Sequence, residues 1–133
     1  MLAPITHPAA PADLRVFVVD EEERLCELLR IALEMEGWTV STFGTGSAAT
    51  AAIIEERPDG VLMDMMLPDM SGVEVVRSVR TAGNEAPVVF LTGRSEHEDR
   101  MEAYGAGADD YITKPFSLEE VVVRLRGLLP AVP

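Results

Sequence analysis

Five short apolar runs punctuate the chain: RVFVV at 15–19, WTVSTF at 38–43, GVLMD at 60–64, VVFLT at 88–92 and DYIT at 110–113. The first, third and fourth are nearly continuous in apolar residues, as expected of strands buried on both faces. The second is shorter on apolar content and reads as an edge strand. Helical spacing fills the gaps. Leu25, Leu28, Leu29, Ala32 and Met35 recur as one apolar stripe, closed by Gly37. Thr45 or Ser47 caps an alanine-rich helix that stops before Pro58. Ser71 caps a helix running from Gly72 to Ala82, with Val73, Val76 and Val79 inward. A charged helix begins near Ser95, carries only Met101, Ala103 and Tyr104 as apolar content, and ends at Gly105 and Gly107. Ser117 caps the last helix, which Pro130 stops.

Strands alternating with helices predict an α/β domain, a doubly wound five-stranded parallel sheet with right-handed crossovers. A flavodoxin-like (βα)5 order, 2-1-3-4-5, is the expected arrangement, and it sets strands one and three side by side at the switch point. The domain spans residues 14–130. Residues 1–13, rich in proline, read as a flexible leader, and 131–133 as the start of a linker or tail.

In such a sheet ligands bind at the carboxyl ends of the strands. There the sequence places Asp20 and Glu21, Asp64, Thr92 and Lys114, at four successive strand ends. Any one of these alone is more simply a cap or turn residue; the set is not. Carboxylates crowded at one rim raise one another's pKa, and a divalent cation relieves the conflict. Oxygen ligands without histidine or cysteine point to Mg²⁺, with Mn²⁺ as the alternative, and away from zinc. A lysine beside them can neutralise an incoming phosphoryl group, and a threonine hydroxyl can donate to its oxygen. Asp64 is thereby equipped as a phosphoryl acceptor.

Composition removes other classes. The chain has 133 residues, 11 basic and 23 acidic, for a net charge of −12. Such a surface repels phosphate backbones and anionic membranes. No apolar run approaches the ~20 residues of a membrane-spanning helix, and the N-terminus lacks the pattern of a signal peptide. Cys26 has no partner for an internal disulfide, so a reducing cytoplasm is the expected setting. His7 and His97 have no spaced partner for a metal site.

The segments FVVDEEERL, VLMDMMLPDMSG, VVFLTGR and AGADDYITKPF together resemble the receiver domains of two-component response regulators, most closely the branch that carries a winged-helix DNA-binding output. The resemblance spans about Arg15 to Leu129. It implies a non-enzymatic signalling switch that catalyses only its own phosphorylation and dephosphorylation. A sensor histidine kinase is the implied phosphoryl donor, and Asp64 the phosphorylated residue. It further implies that Asp20, Glu21, Asp64 and the Met66 carbonyl hold the metal, that Thr92 and Tyr111 form a switch pair in which Tyr111 moves inward on phosphorylation, and that Lys114, with a cis bond to Pro115, contacts the phosphate. Met66 and Arg94 would screen that phosphate from water. Arg100, Asp109, Asp110, Glu120 and Arg124 match positions of a homodimer interface on helix four, strand five and helix five. The pairs would be Arg100 with Glu120 and Asp110 with Arg124 across a two-fold axis, and one of Val121, Val122 and Val123 would face outward between the subunits. DNA binding would need an output domain absent from this chain. Glu21 stands where the family usually has aspartate, which puts the metal geometry in question. Two other readings remain: a partner-binding receiver-like module that works without phosphorylation, and a Mg²⁺-dependent phosphatase with an aspartate nucleophile. The latter normally has a second aspartate where this chain has Met66.

Overall fold

The computed structural model describes residues 14–93 and 97–130. Five strands alternate with five helices: β1 (Arg15–Val19), α1 (Glu23–Glu34), β2 (Thr39–Phe43), α2 (Gly46–Glu56), β3 (Gly60–Met63), α3 (Gly72–Thr81), β4 (Val88–Thr92), α4 (His97–Ala106), β5 (Asp110–Thr113) and α5 (Leu118–Leu128). All four pairings are parallel, and the order is β2-β1-β3-β4-β5. The expected edge position of β2 follows from its composition, since only Val40 of that strand is fully buried.

Alternation along the strands splits the core into two layers. Phe17, Val19, Val61, Met63, Val88 and Phe90 face α2, α3 and α4. Val16, Val18, Leu62, Val89, Leu91 and Ile112 face α1 and α5. Val73, Val76 and Val79 of α3 are buried as their spacing predicts.

The local signals hold with three adjustments. Thr45, rather than Ser47, caps α2, accepting from the Ala48 amide at 3.2 Å. Ser71 and Ser117 cap α3 and α5 through the Val73 and Glu120 amides. Trp38 lies before β2, not within it, although its side chain is buried. Gly105 sits inside α4, and the chain turns instead at Gly107, whose φ of 111° suits a residue without Cβ. The expected start of α4 near Ser95 lies outside the described residues.

The buried line of α1 is Cys26, Leu29 and Leu33. Leu28 and Met35, assigned to the buried stripe by spacing, are exposed, Met35 at 81%. The apolar arc of this helix is wider than its contact with the sheet, so its edge spills into a groove shared with Leu118, Val122 and Val123 of α5.

Candidate functional site

Strand register builds the site. Val19 lies beside Phe43 on one side and Met63 on the other, so the residues after β1 and β3 leave the sheet together. The Asp64 amide donates to the Val19 carbonyl at 2.9 Å, and the Asp20 amide to that of Phe43 at 3.0 Å. Across the cleft Thr92 pairs with Thr113, and the Lys114 amide donates to the Thr92 carbonyl at 2.8 Å. The Lys114–Pro115 peptide is cis.

These tethers bring three charges together. Lys114 Nζ lies 3.4 Å from Asp64 Oδ2 and 3.5 Å from Asp20 Oδ2. The remaining oxygens are held by main chain: Asp20 Oδ1 accepts from the Glu22 amide at 2.9 Å, and Asp64 Oδ1 from the Met66 amide at 3.0 Å. Asp20 is only 5% exposed. Burial raises its carboxyl above the usual range, and the charge of Asp64 adds to this; the Glu22 amide and Lys114 pull the other way. Thr92 is buried at the adjoining strand end.

Glu21 does not join the group. It is exposed, on the rim of an open cleft of about 340 Å³ that it shares with Asp20, Glu23, Cys26 and Glu27. Among the described residues no cluster of three or more acidic, histidine or cysteine side chains is gathered for a metal. The expected convergence of three carboxylates is therefore corrected to two. Asp20, Asp64 and the nearby Met66 main chain offer hard oxygen donors only. That set fits a Mg²⁺ ion, which is held by one or two carboxylates and keeps several waters.

Tyr111 is already inside, at 7% exposure, with its hydroxyl 4.0 Å from Met65 Sδ. The Arg100 guanidinium lies over the ring, 5.6 Å from its centre.

The charges assigned to a dimer interface are largely engaged within one chain. Arg124 bonds Asp110 at 2.7 Å and Glu120 at 3.4 Å. Asp109 accepts from Arg80 at 3.2 Å and from the Val88 amide at 2.8 Å, clamping the start of β5 to α3 and β4. Val123 is the outward valine, 56% exposed, but it lies on the α1 side of α5. Met101 and Tyr104 on α4 are the exposed apolar residues of the helix that carries Arg100. Arg94 lies outside the described residues.

Two residues of the site's frame escaped sequence reasoning. A Cβ on Gly72 would meet the Asp64 carbonyl oxygen at 2.6 Å and Phe90 at 2.7 Å, so only glycine lets α3 start this close to the acceptor strand. Asp69 reaches from the loop after β3 to the first turn of α2. A glycine after a capping serine is a weak signal for the first; the second depends on a contact 23 residues away.

In this doubly wound parallel sheet two aspartates and a lysine converge at the switch point, on the rim where such folds bind ligands. The family model for the response regulator receiver domain matches residues 16–126, and the chain belongs to that family. It is 52% identical over 114 residues to the probable transcriptional regulatory protein TcrX of Mycobacterium tuberculosis, covering 86% of this chain and 49% of that protein. It is 46% identical over 126 residues to the transcriptional regulatory protein TrcR of the same organism, covering 95% and 49%. The chain spans about half the length of these relatives. Among solved structures, the BeF3-activated DrrB receiver domain matches with 34% identity and a TM-score of 0.79, over 86% of this chain and 96% of that one. The Vibrio cholerae chemotaxis protein CheY4 matches with 28% identity and a TM-score of 0.83, over 89% and 100%. No helix among the described residues is long and apolar enough to cross a membrane.

Proposed function

We propose that this receiver domain is a Mg²⁺-dependent phosphorylation switch with Asp64 as acceptor, working within a transcriptional regulator of a two-component system. The observation that carries the reading is the position of Lys114 Nζ, within 3.5 Å of both Asp64 and Asp20. Asp64 Oδ1 is held by the Met66 amide, which leaves Oδ2 on the Lys114 side to attack phosphorus. A new P–O bond forms as the P–N bond of a kinase phosphohistidine breaks, and the imidazole leaves with its electron pair. Lys114 follows the developing charge. Asp20, Asp64 and the Met66 carbonyl would hold Mg²⁺, which would supply charge neutralisation for the transferring group. Thr92, at the end of β4, is the hydroxyl that turns to the phosphoryl oxygen.

The output surface is α4, β5 and α5. A dimer there uses Arg100 with Glu120 of a second copy and exposed Met101 and Tyr104 as apolar contact, with Arg124 redistributing between its own Asp110 and the partner copy. The net charge of −12 makes it weak without phosphate. We assign DNA recognition to an output domain outside the receiver fold, since the transcriptional regulatory proteins it resembles are about twice its length.

The test is incubation with a phosphorylated histidine kinase or acetyl phosphate, with Mg²⁺ or with chelator, followed by hydroxylamine. A Mg²⁺-dependent, hydroxylamine-labile label is expected. Absence of any label would favour the phosphorylation-independent module.

A further inference from the structure

The loop between β3 and α3 carries Met66, whose amide orients Asp64 Oδ1 at 3.0 Å. Both ends of this loop are fixed close to the acceptor. The Gly72 amide donates to the Met65 carbonyl at 2.7 Å, and Met66 bridges to Ser71. A tight turn at the tip is closed by the Leu67 amide on the Met70 carbonyl at 3.2 Å. Apolar contacts of Leu67 and Met70 with the core set the depth of the loop but not its direction.

Direction comes from Asp69. Its Oδ1 accepts from the Gly46 amide at 2.7 Å and its Oδ2 from the Ser47 amide at 2.9 Å. These are the first two amides of α2, which have no partner within the helix. The carboxylate also sits at the positive end of the helix dipole. Its two oxygens are used on separate donors, so rotation about the side chain is fixed as well as distance. Gly46 allows the approach, because a Cβ there would lie 2.4 Å from Met70 Cγ in the same loop. The Gly46 and then the Ser47 amide hold the Asp69 carboxyl below the usual range, so it is ionised wherever the protein is folded at working pH.

We propose that Asp69 is a positioning residue: by anchoring the acceptor loop to α2 it sets the Met66 main chain, and through it both the aim of Asp64 and the carbonyl offered to the metal. This rests on the acceptor reading above. Asp69 touches neither the phosphoryl group nor the ion, and it acts as the outer partner of a ligand acts in other metal sites.

A purely structural cap on α2 supplies the control. Thr45 accepts from the Ala48 amide at the same helix end. Thr45→Ala and Asp69→Ala should therefore lower Tm similarly and part company elsewhere. In Asp69→Ala, hydrogen exchange at the Met66 and Leu67 amides should quicken in the absence of metal, and Mg²⁺ affinity by calorimetry should fall about tenfold. Asp69→Asn, which keeps one acceptor oxygen, should lie between and guards against loss of folding. Thr45→Ala should leave both readouts at the wild-type level. Wild-type Mg²⁺ affinity and exchange in Asp69→Ala would overturn the proposal, as would equal losses in Thr45→Ala. If the wild-type chain itself failed to bind Mg²⁺, the acceptor reading would fall, while the exchange at Met66 would still decide the anchor.

Discussion

Arg100 stacks on Tyr111, its guanidinium 5.6 Å from the ring centre, and so ties a surface charge of α4 to a buried residue of β5. The ring lies in the apolar layer with Ala103, Ala106 and Met65. A cation over an aromatic face contributes about 0.5–1 kcal/mol when exposed. Arg100→Ala should then shift Tyr111 outward by roughly two- to fivefold in population. Fluorotyrosine NMR, with Tyr104 as the internal reference, reads this directly. An unchanged Tyr111 signal would show that packing alone holds the ring.

Asp20 makes stability depend on pH. Its folded pKa is raised above the unfolded value, chiefly by burial. Where the folded pKa of an acid is raised, the folded state binds the proton more tightly. Stability therefore falls as pH rises from the unfolded pKa to the folded one, and the full cost is present above both. Asp20→Asn should raise the Tm of the metal-free protein by a few degrees at neutral pH. The gain should fade toward acid. Mg²⁺ should stabilise the wild type and not the variant. A Tm lowered at neutral pH would mean that the bonds of Asp20 outweigh its desolvation.

Glu21 is exposed, on the cleft that the buried Asp20 also lines. Its extra methylene is ill matched to octahedral coordination, so the metal should bind weakly. Glu21→Asp should tighten Mg²⁺ several-fold by calorimetry. Equal affinities would show that this site needs no second acid in the loop after β1.

Gly72 separates packing from chemistry. In Gly72→Ala the new Cβ meets main chain at Asp64, which cannot yield as a flexible side chain would. Denaturant melts should show a loss of about 2 kcal/mol. Phosphorylation should slow as well, because Asp64 is the residue displaced. A stable, fully active variant would mean that the start of α3 moves freely.

How far the sequence discloses the site depends on the range of each interaction. Asp20, Asp64, Thr92 and Lys114 are legible because parallel strands deliver their carboxyl ends to one rim, whatever the details of packing. Ser71 and Ser117 are legible because a cap acts within three residues. Leu28 and Met35 mislead because spacing fixes only the angular position of a side chain, not how wide a face the sheet covers. Val123 is the outward valine that the three-residue run predicts, but spacing alone does not show that it shares a groove with α1. The Arg124–Asp110 pair joins residues of one chain, since β5 and α5 are close enough to satisfy it without a second copy. Asp69 is silent in the sequence because its partners lie on another element, in a contact that no local pattern encodes.

The central claim is that one carboxylate, Asp64, receives the phosphoryl group. After reaction with acetyl phosphate and Mg²⁺, borohydride reduction converts the acyl phosphate to a stable alcohol whose position peptide mass spectrometry reads. The modification should fall on Asp64 alone, vanish in Asp64→Asn, and drop about a hundredfold in rate in Lys114→Ala. Modification at Asp20 or Glu21, or full labelling of Asp64→Asn, would contradict the account.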